Sequence, residues 1–101
     1  MSYELFASLK AKFHPGTLHV SERARVALDE SGQIPLLFLA RHVLGDWGDL
    51  AEALWVANDD AIETGGLLHS AYRTRHGVPI AVFTTTDRSA THIVLVEALP
   101  A

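Results

Sequence analysis

Two glycines close together in the middle of the chain constrain its fold more than any other feature. Gly45 and Gly48 enclose Asp46-Trp47 and interrupt a helical pattern that runs before and after them. Glycine adopts the sharp backbone turns that other residues resist, so this stretch predicts a tight connection between two helices. An ordinary connection does not need a tryptophan, and we therefore expect Trp47 to have a defined place in the folded protein.

The size and composition of the chain predict one folded domain over residues 1–101. The chain has 101 residues, of which 49% are hydrophobic and 20% charged, and these values are typical of a globular domain with one core. The absence of cysteine excludes disulfides, thiol nucleophiles and cysteine-based zinc sites. No apolar stretch reaches about 18 residues, and the N-terminus lacks the basic start of a secretion signal. We therefore expect a cytoplasmic protein that does not contact a membrane.

Local signals predict two helices in the first half of the chain. Ser21 has the residue type of an N-cap, and Gly32 that of a left-handed C-terminal residue, which together predict a helix over 22–31. Pro35 suits the first turn of a second helix, because the amide hydrogen that it lacks would be unbonded there. Since 36–40 is apolar nearly all round, we expect this second helix to form the centre of the core.

A third helix is predicted after the glycine-rich stretch. Asp49 and Glu52 have the spacing of a capping box, which predicts a helix that begins at Leu50 and ends at Gly65-Gly66. Asn58 lies near its apolar side, and bonding to the Asp46 loop is the simplest assignment for a buried amide. The residues expected to face inward are Leu54, Ala57, Ala61 and Ile62.

The remaining segments predict strands and a fold class. A pattern of period two indicates strands near 67–73, 78–84 and 91–96 with short connections, and 17–20 has the character of a further short strand. Residues 3–13 fit both strand and helix patterns and favour a helix. The expected fold is α+β, with a short N-terminal strand, three helices, then a three-stranded antiparallel meander, and helices on one face of a small sheet.

The candidate polar residues around the tryptophan have both structural and functional interpretations. Trp47 either fills the core where the second and third helices meet, or serves as a partly exposed anchor for a partner. Asp46 either bonds local amides or takes part in chemistry. Arg41 and His42 fall in the last turn of a helix, where cations are favoured, and His42 has a pKa that also suits a general base. The six histidines show no spacing typical of metal ligands, so no metal site and no cofactor is predicted.

A second polar cluster follows the penultimate strand. Asp87 can bond the amides of its own turn, and Arg88 can pair with a carboxylate such as Asp46. Such a pair would join this turn to the tryptophan loop, and with Ser89 it would resemble a site for phosphate or peptide recognition. We expect the two clusters to meet in the folded protein.

Short sequence elements distributed along the chain occur in a recognisable order. They are Gly16-Thr17-Leu18, Ala24, Leu28, Arg41-His42, Gly45-Asp46-Trp47-Gly48-Asp49-Leu50, Ala57-Asn58-Asp59, Gly65-Gly66, Ser70-Ala71-Tyr72 and Thr86-Asp87-Arg88-Ser89-Ala90-Thr91. In this order they resemble a family of small proteins carried by bacterial plasmids and integrative elements, often labelled plasmid-related or type I restriction subunit. The resemblance covers about residues 16–96, with 1–15 as an N-terminal extension. It implies a mobile-element origin and brings no established activity with it.

The leading hypothesis is a noncatalytic protein that binds another protein, one form of which is an inhibitor of a host nuclease complex. The net charge of -4 disfavours a nucleic-acid partner. The residues assigned to the binding surface are Arg41, His42, Asp46, Trp47, Asn58, Asp87, Arg88 and Ser89. A rival hypothesis is an enzyme on an anionic or nucleotide-like substrate, with His42 as base, Asp46 orienting it and Arg88 holding the anionic group. A third is a homo-oligomer built on an unpaired sheet edge.

Overall fold

The computed structural model describes residues 10–96, which form an α+β fold with three helices and a four-stranded mixed sheet. The elements along the chain are β1 (Thr17–Val20), α1 (Glu22–Ser31), α2 (Pro35–Val43), α3 (Glu52–Thr64), β2 (Leu68–Arg73), β3 (Pro79–Thr84) and β4 (Ala90–Leu95). Most of the helix predicted over 3–13 lies outside the described residues, and its last part, 10–13, is turn and loop rather than helix.

The sheet has the strand order β1-β4-β3-β2. β2, β3 and β4 pair antiparallel, whereas β1 runs parallel to β4 with His19 opposite His92. The sheet therefore differs in detail from the expected three-stranded meander, because β1 extends it to four strands and makes it mixed. This pairing joins segments about 70 residues apart, and no local turn signal reports such a contact.

α1 and α2 begin and end where local chemistry predicts. The Ser21 hydroxyl accepts a hydrogen bond from the Ala24 amide at 3.2 Å, and Gly32 ends α1 with φ of 70°. Pro35 occupies the first turn of α2. Gly45, just after the end of this helix, turns the chain with φ of 82°. Because these signals act within a few residues, they survive unchanged in the tertiary fold.

The predicted start of α3 is wrong. The helix begins at Glu52, its N-cap is Ala51, and no side chain caps it. The amide of Asp49 instead donates to the carbonyl of Ala71 at 2.7 Å, so the chain before the helix is bound to the edge of β2. Two residues expected to face inward, Leu54 and Ala57, are exposed, because α3 packs beside the sheet through a narrow stripe. That stripe consists of Trp55, Asn58, Ala61 and Ile62.

The main core lies between the helices and one face of the sheet. Ala24 and Leu28 of α1 and Phe38 of α2 pack on this face. The buried sheet residues beneath them are Tyr72, Ile80, Val82 and Ile93. α2 is only in part the centre of the core, because Leu37 points outward and is 48% exposed.

The opposite face of the sheet is not covered by any described helix. It carries a row of stacked rings in which His92 lies between His19 and Phe83, with ring centroids 4.9 Å apart on each side. Among residues 10–96 there is no helix with the length and apolar character needed to cross a membrane.

Candidate functional site

His42 lies at the centre of a buried hydrogen-bonded chain beneath the sheet. Its Nδ1 bonds with the Ser70 hydroxyl, and its Nε2 with the Thr84 hydroxyl at 2.9 Å. Thr84 bonds in turn with Thr91 at 2.6 Å, and Thr91 donates to the carbonyl of Pro15 at 2.6 Å. α2, three strands and the segment before β1 are therefore joined by one polar network inside the core.

Counting protons fixes the direction of three hydrogen bonds in this network, and the charge of His42 decides the fourth, with Ser70. A hydroxyl has one hydrogen, and that of Thr91 goes to the carbonyl of Pro15, so Thr84 must donate to Thr91. Nε2 of His42 must then donate to Thr84, and Nδ1 accepts from Ser70 as a neutral imidazole does. Burial lowers the pKa of His42 to about 3, and electrostatic repulsion from His69 and Arg88 adds to this effect. His42 is therefore a neutral structural residue and not a cation at a helix end.

Trp47 fills the core, and the alternative of an exposed anchor is wrong. Its side chain is fully buried and packs against Ala61 and Leu68. Its ring lies parallel to that of Phe13 with 6.1 Å between centroids. The indole nitrogen donates to a carboxylate oxygen of Asp59 at 3.0 Å, so the polar end of the ring is satisfied by α3.

Asp46 holds the turn between α2 and α3 rather than orienting His42. One carboxylate oxygen accepts from Nε of Arg41 at 2.8 Å, and the other accepts from the amide of Gly48 at 3.1 Å. The bond from Arg41 lowers the pKa of Asp46. The Tyr72 hydroxyl donates to the carbonyl of Asp46, and the Arg41 guanidinium lies 4.4 Å from the centre of the Tyr72 ring. The loop is thus tied to β2 by both backbone and side chains.

Asn58 and the residues around Gly48 together complete the free edge of β2. The amide of Ala71 donates to the carbonyl of Trp47 at 3.1 Å, next to the bond from Asp49 described above. His69 lies two residues before Ala71 on the same edge. The carboxamide of Asn58 donates to the carbonyl of His69 at 2.7 Å and accepts from its amide at 3.1 Å. The predicted bond from Asn58 to the Asp46 loop is therefore wrong. An uncovered edge strand invites pairing with other chains, and this arrangement covers it without a fifth strand.

Arg88 binds backbone carbonyls and does not pair with Asp46 as predicted. Its guanidinium donates to Ala61 at 2.8 Å, Gly66 at 2.6 Å and Thr85 at 3.0 Å, which joins the last hairpin to the end of α3. Its backbone is left-handed, with φ of 60°. Since the carbonyl of Ala61 accepts from Arg88 while its side chain contacts Trp47, the two polar clusters do meet, but inside the protein.

Asp87 and Ser89 form the exposed tip of the same hairpin. The Asp87 carboxylate accepts from the Ser89 amide at 2.9 Å and from the Thr85 hydroxyl at 2.8 Å. Hydrogen bonds from Ser89, with the Thr85 bond, lower the pKa of Asp87 to about 2. This is the local turn bonding that the residue types predict.

These contacts contradict the geometry of the rival enzyme hypothesis. That hypothesis needs His42, Asp46 and Arg88 to converge on a shared pocket, but each bonds to a different set of protein groups and His42 is fully buried. The buried side-chain nitrogens and oxygens of residues 10–96 all have hydrogen-bond partners. Within the same residues, no group of three or more histidine or acidic side chains is arranged to hold a metal ion.

Sequence reasoning missed a surface on the outer side of α2. Ile34, Leu37 and Leu44, which we call the outer stripe, are 62%, 48% and 39% exposed. Leu37, Arg41 and Leu44 follow one another at helical spacing, whereas Ile34 lies just before the helix with an extended backbone. A groove of 510 Å³ runs beside the stripe and is lined by Gly32, Gln33, Ile34, Leu36, Leu37, Ala40 and Arg75. The signal was present in the sequence, because a helix that is apolar all round has more apolar surface than one packed face can cover.

Comparisons with known proteins add no further constraint: no family model, no curated protein and no solved structure matches this chain.

Proposed function

We propose that this chain is a small noncatalytic protein that binds another protein through the outer stripe of α2. The observation that carries this proposal is the exposure of Ile34, Leu37 and Leu44, which lie on α2 and at its two ends. Contiguous apolar side chains on a protein surface are typical of interaction sites. The half-exposed ion pair between Arg41 and Asp46 lies at the C-terminal end of α2 and supplies a polar rim.

Two of the predicted binding residues, His42 and Trp47, support this surface rather than form it. On the inner side of the same helix, His42 anchors α2 to the sheet through the buried network. Trp47 and Asp46 fix the turn that follows the helix. The stripe is thus presented on a rigid element, which lowers the entropic cost of binding.

For the biological setting, we propose the one that the family resemblance implies. A protein of mobile-element origin benefits from blocking the defences of its host, and an inhibitor of a nuclease complex acts by binding protein rather than by chemistry. The net charge of -4 fits a protein partner better than a phosphate backbone. We therefore propose an anti-defence role, with a subunit of a host nuclease complex as the partner.

Affinity capture with two matched double variants tests protein binding. The full chain serves as bait in host lysate, and captured proteins are measured by quantitative mass spectrometry. Ile34→Ser with Leu37→Ser should abolish capture of the partner. Leu54→Ser with Val56→Ser changes residues of similar exposure, 49% and 54%, on α3 and should leave capture unchanged. Equal capture by both variants would contradict the proposal.

Plasmid establishment tests the anti-defence role. Cells that carry a type I restriction complex receive an unmodified plasmid, with or without the protein expressed beforehand. The protein should raise the number of transformants, the outer-stripe variant should not, and the α3 variant should. No rise with the unaltered protein would remove the anti-defence role.

A further inference from the structure

The end of the groove beside α2 is built around Gln33 and Arg75. The Gln33 carboxamide oxygen accepts from the backbone amide of Arg75 at 2.7 Å. It also lies 2.9 Å from the Ser31 hydroxyl, whose one hydrogen is shared with the carbonyl of Leu28. The turn that contains Arg75 is itself closed by a bond from Gly77 to the carbonyl of Thr74 at 2.8 Å. The backbone of Arg75 is therefore held near the start of α2 by Gln33, in a turn that has its own internal hydrogen bond.

The side chain of Arg75 brings a cation to this groove. Its Nη1 lies 3.8 Å from the point where a Cβ on Gly32 would be, so the guanidinium extends over a residue that has no side chain. Within residues 10–96 it forms no ion pair with a carboxylate. None of the residues that line the groove is acidic, and Leu36, Leu37 and Ala40 form an apolar floor.

We infer that this groove binds a peptide segment of the partner protein in which a carboxylate stands beside apolar side chains. The inference rests on the proposed function and specifies what the outer stripe recognises. The apolar side chains would contact Leu36, Leu37 and Ala40, while the carboxylate would receive two parallel hydrogen bonds from Arg75. The nine residues of α2 span about 13 Å, which matches about two and a half turns of a helix or about four residues of an extended segment.

Other occupants fit this groove less well. In a symmetric dimer, the groove of one copy would face the same groove of the other. Since that groove has no acidic residue, the guanidinium of Arg75 would have no carboxylate to pair with. A nucleic acid needs several cations along its backbone, and this lining has one. A peptide that has a carboxylate and apolar side chains can pair with Arg75 and also cover the apolar floor of the groove.

Peptide display identifies the ligand chemistry directly. A library of random 12-residue peptides on phage is selected against the folded full chain, and the strongest peptide is then synthesised with a fluorescent label. Selected sequences should carry aspartate or glutamate within four residues of two apolar side chains. Selection of peptides without a carboxylate, or failure to select any, would overturn the inference.

Fluorescence polarisation with that labelled peptide then tests each part of the groove. Arg75→Glu should weaken binding about tenfold, since an attractive pair becomes a repulsive one. Arg73→Glu makes the same charge change in the strand that precedes this turn and should alter affinity less than about twofold. Leu37→Ser should weaken binding about fivefold or more, and Leu54→Ser, at nearly equal exposure, should not. Equal effects of the paired variants would overturn the inference, as would displacement of the peptide by decanoate at equal concentration.

The two proposals fail in distinguishable ways. If capture in lysate depends on the outer stripe but is unchanged by Arg75→Glu, protein binding stands and the inferred ligand chemistry is wrong. If capture is indifferent to the outer stripe, the proposed function itself is wrong.

Discussion

Replacing His42 with glutamine should remove a defined part of the pH dependence of stability. The folded protein holds the pKa of His42 at about 3 because of burial, whereas an unfolded chain has a histidine pKa near about 6.5. Below about pH 6.5, His42 therefore binds a proton in the unfolded state but not in the folded state. As a result, the free energy of unfolding falls as the pH falls toward 3. At about 1.4 kcal/mol per pH unit, the loss from this one residue reaches about 2 kcal/mol at pH 5.

Urea unfolding at pH 7.5, 6.5 and 5 measures this loss. Fluorescence reports the transition, because Trp47 passes from a fully buried site to water. The unaltered protein should lose about 2 kcal/mol more than His42→Gln between pH 7.5 and 5. His76→Gln, which removes an exposed histidine from a turn, is measured beside it as the matched control. Asp46 and Asp87, with lowered pKa values, titrate below this window. Equal slopes for His42→Gln and the unaltered protein would refute the assignment of a neutral, buried imidazole.

The remaining predictions concern residues that hold the edges of the fold together. Gly48→Ala should cost about 3 kcal/mol in urea unfolding, because a Cβ there would lie 2.0 Å from the carbonyl oxygen of Ala71 on a backbone with φ of 74°. Gly65→Ala has similar φ but nothing within 4 Å and should cost only about 1 kcal/mol; equal costs would argue against the close contact. Arg88→Lys should cost about 3 kcal/mol in thermal or urea unfolding, since one ammonium cannot reproduce bonds to three carbonyls. Arg73→Lys makes the same change at an exposed arginine and serves as the control. If it lowers the free energy of unfolding as much as Arg88→Lys does, this role of Arg88 is wrong.

Much of the fold could be predicted because its signals are local. Ser21, Gly32, Pro35 and Gly65 act on backbone groups within one helical turn, and each marks a helix end where it was expected. The strands likewise lie within one residue of their predicted bounds. Asp49 is an exception: it does not cap α3, because its amide bonds to a strand about twenty residues away along the chain. The local signal failed where a non-local contact competed with it.

The candidate site was harder to predict because its residues have several chemically equivalent partners. Asp46 could pair with Arg41 or Arg88, and only the distance in the folded protein selects Arg41. The amide of Asn58 could satisfy the loop or the strand edge, and it bonds to the edge. Side-chain type limits the kind of bond that a residue makes, but not which of several donors lies within 3 Å.

The sequence by itself determined most of the helix and strand bounds, because backbone propensity and capping depend on near neighbours. The tertiary structure alone decided that β1 joins the sheet beside β4 and that the tryptophan loop covers the edge of β2. It also decided that part of the apolar surface of α2 stays in solvent. Those outcomes depend on how the helices pack on the sheet and on which surfaces no other element covers. The outer stripe beside Arg75 is such a surface, and it is where we expect this protein to bind.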